Sequence, residues 1–153
     1  MLAYANQMFL DILHEDGLVI AAKGLGLDEV FHNLLKVYSD PGNLVLVLGA
    51  NDEEEEYFIN RLKQEDVKAQ PKKVTTEYSV NDRQQLYLNG GVLFITTRIL
   101  VVDMLTERIP MGKNKRFTVW KSRQKQDHHF HIFPVKSTLL LNKVKIEVKL
   151  LKR

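Results

Sequence analysis

The 153-residue chain is 44% hydrophobic and 27% charged, enough for one modest globular core and too short for two. It contains no cysteine, which excludes a disulfide framework, a Cys-ligated zinc site and a thiol nucleophile, and is compatible with a reducing compartment. The net charge of +3 hides a split: residues 1–110 hold 10 Lys/Arg against 17 Asp/Glu, a net −7, whereas residues 111–153 hold 12 against 2, a net +10. A charge argument for nucleic-acid binding therefore applies to the tail and not to the body. No apolar run approaches the ~20 residues that cross a bilayer, so neither a membrane partner nor a secretory leader is expected.

Taken in chain order, the body alternates helical and strand-like patterns. Leu2, Ala5, Phe9, Ile12 and Leu13 fall on one stripe at helical spacing, predicting a helix over residues 2–14. His14 to Gly17 breaks it, and Leu18 to Ala22 is a short apolar run suited to a strand covered on both faces. Lys23-Gly-Leu-Gly26 forms a loop, after which Asp28 caps or opens a helix carrying Val30, Phe31, Leu34 and Leu35. Pro41-Gly42 marks a turn before Leu44–Leu48, the clearest buried strand in the sequence. The acidic run Asn51 to Glu56 opens a helix expected to continue to about Lys68, since carboxylates in a first turn favour the positive end of the helix dipole. No element is assigned to residues 69–89. Gly90-Gly91 leads into a strand over Val92–Thr96, followed by a helix from Arg98 to about Glu107 that Ile109-Pro110 ends. Apolar runs separated by helices predict an α/β lobe with a parallel sheet of at least three strands.

Past Pro110 the charge and the period change together, making residue 111 the expected boundary between a lobe (1–110) and a divergent basic tail (111–153). Arg116–Trp120, His131–Val135 and Thr138–Leu151 look strand-like, with a polar basic stretch from Lys121 to His129. The tail is expected to be poorly packed and β-rich or disordered, either pairing with an open sheet edge or leaving that edge prone to aggregation.

Five features carry candidate chemistry. Gly24-Leu-Gly26 lies where phosphate loops lie, between a strand and a helix. Such a loop requires a Lys for the phosphates and a Ser/Thr for Mg²⁺, and Leu27 and Asp28 stand there instead. It reads as a tight turn with no bound nucleotide, and a small ATPase is disfavoured. His128, His129 and His131 are clustered, and 129 and 131 would share one face of a strand, but no third ligand accompanies them and no metal site is expected. The Glu53–Glu56 run reads as an exposed helix start with no acid/base companion. Thr96-Thr97-Arg98 stands at a strand C-terminus, where open α/β sheets place ligands. Two hydroxyls and a guanidinium there suit a nucleic-acid phosphate, and suit equally a threonine helix cap beside a surface arginine. The tail's lysines and arginines, interleaved with Phe117, Trp120 and Phe130, form a further electrostatic and stacking candidate.

Three strings, Gly17-Leu-Val-Ile-Ala-Ala-Lys-Gly-Leu-Gly26, Glu55-Glu-Tyr-Phe-Ile-Asn60 and Gly90-Gly-Val-Leu-Phe-Ile-Thr-Thr-Arg-Ile-Leu-Val-Val-Asp-Met-Leu-Thr-Glu-Arg-Ile-Pro110, closely resemble the N-terminal helicase-like region of the XPF-type DNA repair endonucleases. The resemblance covers residues 1–110, and residues 111–153 do not match. It implies a partial RecA-like lobe of the superfamily 2 helicase type, with a decayed nucleotide loop at Gly24, Gly26, Leu27 and Asp28. It also implies a DNA-contact ancestry for Thr96, Thr97 and Arg98. The family cuts one DNA strand near duplex to single-strand junctions in nucleotide excision and crosslink repair, in the nucleus, with Mg or Mn in its nuclease domain. No Glu-Arg-Lys-x-x-x-Asp motif occurs here, and residues 111–153 do not resemble the family's tandem helix-hairpin-helix domain that pairs with a smaller partner, so no catalytic residue, no cofactor and no heterodimer partner site are expected in this chain. By resemblance its partners are DNA, repair scaffold proteins and damage-recognition proteins. The charge jump at residue 111 suggests a coding sequence cut short and joined to unrelated sequence. The alternatives are a protein-docking module and a non-functional truncated isoform.

Overall fold

The computed structural model describes residues 2–14, 19–22, 24–110, 116–121, 129–132 and 135–136. Helix α1 (Ala3–His14) precedes strand β1 (Val19–Ala22), helix α2 (Leu27–Tyr38) and strand β2 (Asn43–Leu48). Helix α3 (Asp52–Gln64), strand β3 (Lys72–Val74), helix α4 (Val80–Asn89), strand β4 (Gly91–Ile95) and helix α5 (Thr97–Leu105) complete the α/β body. Strands β5 (Arg116–Lys121), β6 (His129–Ile132) and β7 (Val135–Lys136) follow it.

The main sheet has the order β3-β4-β2-β5-β7. Its first four strands run parallel and β7 is antiparallel to β5. Helices cover both faces, as a parallel sheet requires. Strand alternation divides the core in two. Val45, Val47, Val92 and Phe94 point to one side and join Val30, Phe31, Leu34 and Leu35 of α2, with Phe58 and Leu62 of α3. Leu44, Leu46, Leu48, Leu93 and Ile95 point to the other and join Leu86 and Tyr87 of α4, with Ile99 and Leu100 of α5. The α2–α3 side is further tied by Arg61 to Glu29 at 2.8 Å and by His32 Nε2 to Glu65 at 2.9 Å.

Several elements depart from the sequence expectation. Residues 69–89 hold β3 and α4, which periodicity alone does not show. Strand β3 is only three residues long, and α4 buries just Leu86 and Tyr87. Helix α3 stops at Gln64 rather than near Lys68, because Asp66 adopts a left-handed backbone with φ 51°. The third predicted strand ends at Ile95, since Thr96 turns out of the sheet to cap α5. Glycine is required where that strand begins. Gly91 has φ +87°, and a Cβ there would lie 2.9 Å from the Ala69 Cβ.

Leu18–Ala22 is a correction of another kind. The run does form β1, but outside the parallel sheet, in a separate two-stranded antiparallel ribbon with β6. The flank of β2 where a further parallel strand would lie is taken by β5, in register over six residue pairs from Asn43↔Arg116 to Leu48↔Lys121. The tail thus supplies strands to both sheets. The predicted strand over Thr138–Leu151, His128 and the basic residues 122–128 lie outside the described residues. So do the side chains of Phe117, Trp120, Phe130, His129 and His131.

Candidate nucleic-acid interface

Two loops bear on the function, one before α2 and one before α5. At the first, Gly24 and Gly26 take left-handed backbones (φ 88° and 71°), and Gly26 is the N-cap of α2 with no side-chain cap bond. Asp28 therefore lies inside the first turn and is not the cap. Leu27, standing where a phosphate loop requires lysine, is 4% exposed and belongs to the core. An ammonium there would be buried without a partner.

The surroundings of this turn are acidic. Asp28 and Glu29 occupy the first turn of α2, and the first turn of α3 carries Asp52, Glu53, Glu54 and Glu55. Partial burial pushes the Asp28 carboxyl up. Burial likewise pushes Glu54 up, aided by the charges of Asp28 and Glu55 and opposed by the Asn51 N–H that it accepts. Two helix N-termini that would otherwise attract an anion thus carry their own carboxylates. The turn is also tied to α1: the Tyr4 hydroxyl donates to the Leu25 carbonyl at 3.0 Å. Leu2, Tyr4, Ala5, Gly26 and Glu29 line an open cavity of about 330 Å³ beside it.

Strands β2 and β4 are parallel neighbours, with Val47 opposite Phe94. The residues after each, Gly49–Asn51 and Thr96, therefore leave the sheet at one edge. Asn51 caps α3 through a full capping box, its Oδ1 accepting from Glu54 N–H at 2.8 Å and its N–H donating to Glu54 at 3.0 Å. Lys73 on β3 reaches Asp52 at 2.7 Å and Glu55 at 2.6 Å. Asp52 first, then Glu55, hold the ammonium well above its ordinary pKa. Its charge is spent within the fold.

The N-terminus of α5 differs. Thr96 caps it, its hydroxyl accepting from the Ile99 N–H at 3.4 Å, and no acidic residue lies in the first turn. Thr96 and Arg98 are exposed and Thr97 is half-buried. Arg98 takes part in none of the ion pairs among the described residues. The structure brings these three residues together on one helix start. The cap uses the Thr96 hydroxyl and leaves the exposed Arg98 side chain outside it.

What fixes α5 is a cluster that sequence reasoning missed. Asp103 is 1% exposed, and Arg83 of α4 grips it with two 2.8 Å bonds, Nε to Oδ2 and Nη2 to Oδ1. The Tyr87 hydroxyl donates to the same carboxylate. Arg83 also donates to the Tyr78 carbonyl at 3.0 Å. Burial alone would raise the Asp103 pKa, but the hydrogen bonds from Arg83 and Tyr87 outweigh it and hold the carboxylate below its ordinary value. Burial and the Asp103 charge push the Tyr87 phenol far up. Arg83 lies on the helix that periodicity does not reveal, 20 residues before its partner, so no local signal links the pair.

Among the described residues no three His, Cys, Asp or Glu side chains are grouped to hold a metal ion. Among them also, no helix is long and apolar enough to cross a membrane.

No family model matches the chain. The chain is 49% identical over 110 residues to the DNA repair endonuclease XPF of Cricetulus griseus, covering 72% of this chain and 12% of that protein. It is 47% identical over 112 residues to that of Drosophila melanogaster (72% and 11%), and 39% identical over 112 residues to the DNA repair protein rad16 of Schizosaccharomyces pombe (73% and 13%). The chain thus spans about an eighth of the length of these curated relatives. Among solved structures it is similar to YdiB of Bacillus subtilis, with a TM-score of 0.47, 12% identity and coverage of 92% of this chain and 99% of that one. At 39–49% identity over nearly three quarters of its length, the chain matches a segment of the XPF family of DNA repair endonucleases.

Proposed function

We propose that this chain is a helicase-like scaffold segment that contacts DNA through the start of α5 and carries no ATPase or nuclease centre of its own. One observation carries the reading: the loop before α2 is followed by a buried leucine and acidic first turns, whereas the helix after the second loop has no acid in its first turn and an exposed arginine. Leu27 and the carboxylates of Asp28, Glu29 and Glu54 oppose a nucleoside triphosphate at the first. Thr96, Thr97 and the exposed Arg98 favour a phosphate of a DNA backbone at the second. On this reading residues 1–110 are a partial RecA-like lobe and residues 111–153 a basic tail. The chain acts in the nucleus, at single-strand to duplex junctions, with metal-dependent cleavage left to regions outside it.

The full chain should bind a fluorescent forked DNA in a salt-sensitive way. Arg98→Ala should weaken binding and lower the slope of log affinity against log salt by about 1, the signature of one lost phosphate contact. Neutralising Lys143, Lys145 and Lys149 to glutamine separates the other source of charge. If that triple variant abolishes binding while Arg98→Ala leaves it intact, tail electrostatics account for the affinity and the α5 reading fails.

A second reading, docking of repair proteins, rests on a separate feature of α5. Val102 and Leu105 are 50% and 76% exposed and lie with Arg98 at helical spacing. Capture of a repair protein that is lost in Leu105→Ser, with DNA binding unchanged, would favour it.

A further inference from the structure

We propose that β5 (Arg116–Lys121), with β7 (Val135–Lys136) beside it, acts as a built-in donor strand. It closes the lobe's open edge from within the same chain and so bars that edge to any other strand, a second copy included. The proposal stands apart from the DNA-contact reading.

In strand β2 every residue from Leu44 to Leu48 is apolar and buried. On one flank it pairs with β4, and on the other with β5 along its whole length. Without β5 it would be an edge strand of six residues presenting a row of free N–H and C=O groups, the kind of edge that recruits other chains. The strand that fills it lies beyond Pro110, outside the stretch that resembles the repair endonucleases.

The outer edges left after closure are both poor templates. At one end of the sheet β3 is three residues long, follows Pro71 and carries exposed Lys72. At the other, β7 is two residues long, follows Pro134 and ends in Lys136. Short edge strands with lysine are a common way of discouraging edge pairing. The same stretch of tail also engages the start of the chain, because β6 pairs with β1 over four residues, from Val19↔Ile132 to Ala22↔His129.

The test uses the full chain and hydrogen exchange. Strand β5 is flanked by β2 and β7, so successive N–H groups alternate between them. Of Thr118→Pro and Val119→Pro, one removes a bond toward β2 and the other a bond toward β7. The proposal expects Leu44–Leu48 amides to exchange at least about tenfold faster in the more damaging variant, with light scattering showing a shift from monomer to larger species. Thr118→Val, which keeps the N–H and favours a strand, should retain wild-type protection. Loss of protection in β2 alone means that its edge has opened. Loss in both β2 and Val92–Phe94 of β4 means that β5 belongs to the same cooperative unit, and either result supports the proposal. Unchanged exchange of Leu44–Leu48 in both proline variants would overturn it.

Discussion

The turns before α2 and α5 have the same position in chain logic, each linking a strand to a helix, yet they have opposite electrostatics. The turn before α2 keeps two glycines with left-handed backbones but has a core leucine and carboxylates where an anion site needs cations. The turn before α5 has no glycine, is capped by a threonine and leaves an arginine free in solvent. A glycine-rich turn is thus weak evidence for a phosphate site unless the next two side chains agree.

The largest expected effect concerns what holds the second turn in place. Asp103→Ala would leave the Arg83 guanidinium, 12% exposed, facing an empty pocket. Removing one partner of a buried pair costs about 3–5 kcal/mol, which urea unfolding would measure. A loss below about 1 kcal/mol would mean that the α4–α5 bridge does not position α5.

Next is the attempt to restore the first turn. Leu27→Lys places an ammonium inside the core, and we expect a loss on the order of 3 kcal/mol. MgATP should add no thermal stabilisation, because Asp28, Glu29 and Glu54 remain. A ligand that bound the native state at 100 times its Kd would add about 2.7 kcal/mol, so the two outcomes separate cleanly. Stabilisation by MgATP would show the turn to be a working site one substitution away.

These effects follow from contacts that the sequence discloses unevenly. Strands β2 and β4 are legible because each is a continuous apolar run bounded by glycine or proline, and α2 because its stripe is regular. The Thr96 cap is legible too, since a threonine stands directly between a strand and a helix. Helix α4 is hidden because Tyr87 and Arg83 meet Asp103 across 16 and 20 residues, and a pattern of apolar spacing contains no such term. The placement of β1 is hidden because an apolar run does not state its partner: the flank of β2 went to β5 and β1 paired with β6.

Caps give a smaller contrast. Asn51 closes a two-bond capping box at 2.8 and 3.0 Å, whereas Thr96 makes one bond at 3.4 Å. Asn51→Ala should cost about 1–2 kcal/mol and Thr96→Ala about 0.5 kcal/mol, the two ends of the range for lost N-caps. Equal losses in thermal unfolding would mean that the Thr96 bond is tighter than its length suggests.

The smallest effect isolates the acid crowding itself. Asp28 and Glu54 both have carboxyls pushed up in the folded state, first by burial and for Glu54 also by the charge of Asp28. A carboxyl whose folded pKa is raised binds its proton more tightly folded than unfolded. Its contribution to stability is therefore gained as pH falls toward its folded pKa and lost as pH rises above it. Asp103 and Glu65, held low by their partners, behave oppositely and lose stability as pH falls through the acid range. Asp28→Asn removes one crowded charge while leaving those two groups untouched. It should leave the melting temperature at pH 7 unchanged or slightly raised, and any difference from wild type should shrink by about pH 4, near the ordinary carboxylate range. The competing force is the dipole of α2, which favours a negative charge in its first turn. If Asp28→Asn lowers the melting temperature at pH 7 and the deficit closes in acid, the dipole outweighs the crowding. The turn before α2 would then owe its hostility to anions to Leu27 more than to its carboxylates.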